Sequence, residues 1–358
     1  MLTVTYIAKF MNMPTQKKRI TMKDVAEAAG VSTQTVSRVI NDFSYVSDHT
    51  RQKVKTVIEE LGYLPSTLAR SLSQQRSFTI GVVTYGLKHM GPSRTLNGIA
   101  DVAEKLGYML LMKELQSFET KTINGVIASL LSRQVDGIIW AAPEIGNSHI
   151  WLNDQLDSIT VPALFLTMEP RKGLSSVETD NYQGAVLAMQ HLLDSGRRKI
   201  VHISGPLTWW EATERKRGWH DTLKKAGLSA PDRYIAEGNW SAASGKRAFL
   251  QLYEAYPDMD AIFVANDQMA LSVLREAHRL NIRIPEQLAV VGYDNIEESA
   301  YFYPSLTTIS QDHQLIGETA VQTLIKMIKK AQKNQPAESH AIVFEPTLIV
   351  RESSVVSD

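Results

Sequence analysis

The sequence predicts an all-α helix-turn-helix module at the amino end, followed by a larger α/β core of parallel sheets with helices on both faces. Three observations carry this. Between Thr21 and Gly62, helix-starting and helix-stopping residues bracket apolar positions at helical spacing. From Phe78 onward, short apolar runs alternate with helical patterns: TIGVVTY, YMLLM, DGIIWA, VPALFLT, KIVHISG, DAIFVAN and LAVVGYD. Finally, 358 residues exceed what one hydrophobic core usually organises, so two or three domains are expected.

Within the module, Thr21 opens a short helix through Asp24, Val25, Ala26 and Ala29. Gly30 supplies a turn, and Ser32 can cap a second helix through Val36, Val39 and Ile40. Ala26 is small enough for the helices to cross closely, with Val31 and Val36 between them, and Gly30 suits the left-handed geometry of the turn. Thr33, Gln34, Ser37 and Arg38 are left on the outer face of the second helix. Gln pairs bidentately with adenine, Arg with guanine, and Thr offers a methyl or hydroxyl to a base edge. A solvated helix face explains any one of them alone; the set favours DNA. A third helix runs from Ser47 through Val54, Val57, Ile58 and Leu61 to its terminator Gly62. Pro65 then starts a fourth, Thr67 to Leu72, too short to be stable alone and expected to order when two copies pair on DNA. Leu72, or Leu68, can wedge into a minor-groove step.

Charge distribution agrees. The chain carries 38 basic and 38 acidic residues. From Pro14 to Arg76 there are ten Lys or Arg against six Asp or Glu, leaving a basic end on an acidic body, as expected of a phosphate-facing module. No stretch reaches the roughly 18 to 20 uncharged residues of a membrane helix, so no membrane partner is expected. With no cysteine there is neither a disulfide framework nor a thiolate metal site, which fits a reducing compartment. Met1 to Met13 lack a charged leader, a sustained apolar run and a cleavage pattern. They read as a disordered arm or, the favoured alternative, as residues upstream of the true start at Met11 or Met13.

In the core the strands are apolar on both faces, as when helices cover both sides. Ligands of such sheets bind beyond the carboxyl ends of the strands. Those positions hold Thr167, Arg215, Asn266, Asp267 and Asp294. Hydroxyl, guanidinium, amide and carboxylate together suit a neutral polyol, with an aromatic face on the C–H side of its ring. Trp240, in EGNWSAASG, is the candidate platform. A strand-end turn or a helix cap is the plain alternative for each acid or amide. Trp209 and Trp210 can stack on a second sugar unit or sit in an interface, and His313 is equally a ligand contact or a pocket wall. No cluster at metal-ligand spacing appears.

The segment TMKDVAEAAGVSTQTVSRVINDFSYVSDHTRQKVKTVIEELGYLPSTLARSL resembles the headpiece and hinge of the lactose repressor (LacI) family. Further on, GPLTWWEATERKRGW, EGNWSAASG, VANDQMAL, VVGYDN and SLTTISQD resemble its core, itself like periplasmic sugar-binding proteins. The resemblance implies that Thr33, Gln34 and Arg38 read bases, that Ser32, Ser37, Asn41, Ser47 and Thr50 steady phosphates, and that Ala69 and Leu72 act from the hinge. It implies effector contacts at Arg215, Trp240, Asn266, Asp294 and Gln311, with Thr167 and His313 completing the set. Four positions depart from the pattern: Ser66 replaces the asparagine after the hinge proline, Thr167 an aspartate, His313 a phenylalanine and Leu115 an arginine.

The expected organisation is an arm (1–19), a helix-turn-helix domain (20–64), a hinge helix and linker (65–77) and a two-lobed core (78–358). Lobe 1 would hold about 78–177 and 311–339, and lobe 2 about 178–310 and 340–352. The chain ends without a leucine-repeat tail, so a homodimer on a near-palindromic operator is expected, in the cytoplasm at the nucleoid. A disaccharide such as a β-galactoside or β-glucoside would close the lobes, unpair the hinges and release DNA. No cofactor or metal is expected. A purine-type corepressor is the alternative effector. An α/β sugar-processing enzyme has no nucleophile elbow, phosphate loop or dinucleotide fingerprint to support it, and a transport binding protein is opposed by the amino-terminal module.

Overall fold

The computed structural model describes residues 20–40, 45–64, 76–146, 156–336 and 339–355. The expected arm, Asn41, and the hinge positions Ser66, Leu68, Ala69 and Leu72 lie outside the described residues. Internal contacts divide the chain into two units, 1–77 and 78–358.

In the first unit, α1 (Met22–Ala29), α2 (Thr33–Ile40) and α3 (Asp48–Leu61) follow one another. Thr21 caps α1 reciprocally with Asp24, and Gly30 ends it in the left-handed region at φ 60°. The Ser32 hydroxyl accepts from Thr35 N at 3.1 Å, opening α2. Val25, Ala26, Ala29, Val36, Val39, Val54 and Tyr63 form the core, so each helix contributes its apolar stripe.

In the second unit two six-stranded sheets form among the described residues. The first comprises β1 (Thr79–Thr84), β2 (Met109–Glu114), β3 (Gly137–Ala141), β4 (Ala163–Leu166), β5 (Ser175–Thr179) and β11 (Ala341–Phe344). Its order is β11-β5-β4-β3-β1-β2, parallel throughout. The second comprises β6 (Ile200–Ser204), β7 (Ile235–Glu237), β8 (Ala261–Val264), β9 (Ala289–Asp294), β10 (Thr307–Ser310) and β12 (Thr347–Ile349). Its order is β12-β10-β9-β8-β6-β7, with β12 alone antiparallel. Helices α4 (Met90–Lys105), α5 (Thr120–Leu131) and α10 (His313–Gln332) cover the first sheet, and α6 (Asn181–Asp194), α7 (Trp210–Lys225), α8 (Ala242–Ala255) and α9 (Asp267–Arg279) the second. Each sheet has one apolar cluster on each face.

The lobe boundaries differ from the expected ones in two places. All of β5 belongs to the first sheet, so the chain crosses at Asp180 rather than Val177. The terminal stretch AIVFEPTLIV, within the 340–352 expected in lobe 2, forms two strands, and only β12 lies there. Glu345-Pro346 interrupts the run, because proline has no amide for a ladder. Ile342 and Phe344 then pack on the first core and Leu348 on the second. Among the described residues three crossings therefore join the lobes: at Asp180, between Ser310 and His313, and at Glu345-Pro346.

Candidate functional site

On the first unit, Ser32, Thr33, Gln34 and Arg38 are exposed and Ser37 is half-buried, while Val36 and Val39 face inward. The outer face of α2 is thus polar, with its apolar side chains turned to the core. Ser47 caps α3, its hydroxyl lying 2.9 Å from that of Thr50. A cap and a phosphate contact use the same hydroxyl, and both roles stay open to this pair.

In the second unit, the carboxyl ends of both sheets open on one cleft of about 710 Å³ including its mouth. The seven residues expected as effector contacts line it: Thr167, Gln311 and His313 from lobe 1 and the lobe crossing, and Arg215, Trp240, Asn266 and Asp294 from lobe 2. Both sheets share the order in which the chain reverses direction beside the first strand of the lobe, and such switch points place the crevice.

Arg215, 5% exposed, is held before any ligand arrives. Its Nε donates to Asn181 Oδ1 at 2.8 Å, its NH1 donates to the Ala265 carbonyl, and its guanidinium lies 3.6 Å from the centre of the Tyr293 ring. Asp294 Oδ1 accepts from Gln311 Nε2 at 2.7 Å and stands 3.9 Å from both Arg215 NH1 and His313 Nε2. Trp240 packs its ring against Gly205, where a Cβ would overlap the indole. Trp209 meets that ring edge-on at 5.7 Å. Thr167, Trp240 and Asp294 have positive φ values of 55°, 68° and 110°. Three cleft residues are thus held in a backbone region that non-glycine residues rarely adopt, and the surrounding fold must hold them there.

Asn266 serves partly as the plain alternative. Its Oδ1 caps α9 by accepting from Met269 N at 3.0 Å, and its Nδ2 donates to Trp240 O and Gln268 Oε1. Asp267 does not line the cleft. It is fully buried, accepts from Thr308 Oγ1 at 2.6 Å and Ile296 N at 2.9 Å, and so fastens the turn that presents Asp294. Burial raises its carboxyl to about 8. Leu115 is 2% exposed in the lobe 1 core, away from the cleft lining.

Sequence reasoning missed His89, Gln268 and Glu211, which also line the cleft. His89 precedes α4, and burial, aided by Lys88, lowers its ring pKa. Its position in the loop after β1, at the switch point, was the available signal. Glu211 sits in the first turn of α7, where an acidic residue ordinarily reads as complementing the helix dipole. Four cleft atoms are sealed from solvent without a partner: Thr167 Oγ1, Glu211 Oε2, Trp240 Nε1 and His313 Nε2. Buried polar atoms are normally satisfied, so these four are available to pair with a polar guest.

The rims of the cleft meet through main chain. Gly146 N donates to Thr208 O at 2.7 Å and Trp210 N to Glu144 O at 3.1 Å, framing a bridge between Ile145 and Trp209. Glu144 also takes Arg171 in a bidentate pair at 2.6 and 3.0 Å, and its amide donates to Thr167 O at 3.2 Å. Among the described residues no group of three or more His, Asp or Glu could hold a metal, and no helix is long and apolar enough to cross a membrane.

A helix-turn-helix unit followed by a two-lobed α/β core with a polar cleft defines a DNA-binding transcriptional regulator with a small-molecule sensing body. The pattern of bacterial regulatory proteins of the lacI family matches residues 21–66, and that of the periplasmic binding protein-like domain residues 189–354. The chain is 36% identical over 319 residues to the lactose operon repressor of Escherichia coli (strain K12), covering 87% of this chain and 85% of that one. It is 33% identical over 332 residues to the HTH-type transcriptional repressor PurR of Vibrio atlanticus (strain LGP32), covering 92% and 98%. Among solved structures, the Lac repressor dimer bound to operator and the anti-inducer ONPF superposes with a TM-score of 0.83 at 33% identity, over 95% of this chain and 100% of that one. The complex of the transcriptional regulator CelR with cellobiose gives 0.69 at 30%, over 94% and 100%. This chain belongs to the LacI family of bacterial transcriptional repressors and is not an enzyme.

Proposed function

We propose that this protein is a homodimeric, operator-binding repressor of carbohydrate-utilisation genes that a disaccharide, a β-glucoside or β-galactoside, releases from DNA. Thr33, Gln34 and Arg38 read base edges on a near-palindromic operator, and Ser32, Ser37, Asn41, Ser47 and Thr50 hold phosphates, with Ala69 and Leu72 engaging the minor groove. In the core, Thr167, Arg215, Trp240, Asn266, Asp294, Gln311 and His313 hold the sugar. The observation that carries this reading is their convergence on one cleft with unpartnered polar atoms from both lobes. A hydroxylated ring that satisfies Thr167 and His313 on one side and Trp240 on the other binds best when the lobes are together, which is how it biases the DNA-binding state. Trp209 beside Trp240 extends the apolar platform for a second sugar unit. The similarity to a cellobiose-bound regulator supports the sugar class.

Dimerisation is supported by apolar side chains left exposed on both lobes: Met109 and Met112 on edge strand β2 and Tyr301 and Tyr303 after β9. Operator binding by the full chain, followed by fluorescence anisotropy on a family-type palindrome, tests the whole reading. Cellobiose or lactose should release the DNA. Arg38→Ala should weaken operator binding about tenfold or more without changing sugar affinity, since one bidentate base contact carries about 1–3 kcal/mol. Tighter DNA binding on adding a purine base, with indifference to both sugars, would replace the inducer reading by a corepressor one.

A further inference from the structure

Glu211 is the one carboxylate of the cleft whose sealed oxygen has no partner. It lies between Trp209 and Arg215 on the same lobe, at the start of α7. The atom accepts and cannot donate when ionised, and the unpartnered Trp240 Nε1 of the same cleft only donates. A guest must therefore offer a hydrogen to one and a lone pair to the other. Hydroxyl groups do both; an ether or a deoxy position does not.

We propose that Glu211 determines effector specificity, its Oε2 accepting a hydrogen bond from one sugar hydroxyl, so that ligands lacking a hydroxyl at that point are rejected. This rests on the sugar-effector reading above. A site built to bond a hydroxyl discriminates sharply against analogues that leave its buried polar atom unpaired. The contact also ties binding to protonation. Burial raises the Glu211 carboxyl to about 7, opposed by a hydrogen bond from its own backbone amide and by Arg215 on its own helix, and reinforced by Glu144 of the loop after β3 and Asp294 at the end of β9. Across the cleft stand His89 ahead of α4 and His313 at the start of α10. A sugar that donates to the carboxylate selects its ionised form, and protonation removes the competent state. Affinity therefore falls as pH drops through about 7, by roughly tenfold between pH 8 and pH 6.

The test is calorimetric titration of the full-length protein and of Glu211→Gln with cellobiose and with lactose at pH 6, 7 and 8. The sugar that binds should do so at least tenfold more weakly to Glu211→Gln at pH 8. The difference should shrink toward pH 6, while any histidine contribution persists in both proteins. Equal affinities and parallel pH profiles for the two proteins overturn the role of Glu211 and leave the sugar reading intact. No heat from either sugar with the wild type, while a purine base binds, overturns the sugar reading and this inference with it.

Discussion

The two faces of the cleft are built to different plans. Lobe 2 supplies the groups with direction: Arg215, Trp240, Asn266, Asp294 and Glu211, most of them tied into their own lobe before a guest enters. Lobe 1 supplies mostly apolar surface, from Met90, Pro92, Ala141, Pro143 and Leu166, with His89, Thr95, Thr167 and His313 as scattered polar points. A preorganised face loses little freedom on binding, so it fixes identity and orientation, while a smoother face can slide into place as the lobes meet. Recognition and closure are thereby divided between lobes.

Arg215→Ala attacks the fixed face directly and should have the largest effect. It removes a buried cation that touches Asn181, Ala265 and Tyr293, a loss of about 3 kcal/mol or roughly 100-fold in sugar Kd. Operator affinity without sugar should stay within about twofold; loss of both would mean that the lobes are not divided in this way.

Lobe 1 carries its own buried charge problem outside the cleft lining. Glu178 in β5 is 2% exposed, neither carboxylate oxygen has a partner, and burial, reinforced by Asp180 and Glu169, raises its pKa to about 8. The folded protein thus keeps a proton that the unfolded chain releases above about 4.5. Wild type should lose stability relative to Glu178→Gln as pH rises from about 4.5 to about 8, on the order of 3 kcal/mol, with no divergence below that window. Apparent Tm values at pH 4, 6 and 8 check this, and parallel curves would show that Glu178 reaches water in the folded state.

The smallest effect is expected where lobe 1 contributes a single hydroxyl. Thr167→Val keeps the shape and removes one hydrogen bond, about 1 kcal/mol or fivefold in sugar Kd by the same titration. A loss as large as that of Arg215→Ala would erase the asymmetry between the faces.

Much of this was legible beforehand, for identifiable reasons. Caps at Thr21 and Ser47 and terminators at Gly30 and Gly62 are local chemistry, so the small unit could be read from short windows. The seven apolar runs became β1, β2, β3, β4, β6, β8 and β9; all but the largely exposed edge strand β2 lie in a parallel sheet buried on both faces, which requires such runs. Strands β5 and β10 were missed: SSVET and TTIS are polar in composition yet buried, their hydrophobicity overridden by neighbours distant in sequence. Likewise, nothing local in AIVFEPTLIV tells which sheet each half will join. Asn266 was read for its amide, and that amide is largely spent on capping α9 and on Trp240 and Gln268. Glu211 went unseen because its isolation is a property of the folded cleft.

The bridge that joins Glu144 and Gly146 to Thr208 and Trp210 uses only main-chain donors and acceptors. Every residue type but proline supplies both, so the seam tolerates substitution on either rim, with Gly146 constrained only by its φ of 53°. Side chains at neighbouring Thr167, Trp209 and Glu211 can therefore be exchanged while the seam is kept. A descendant of this protein can change what it tastes without relearning how to shut its mouth.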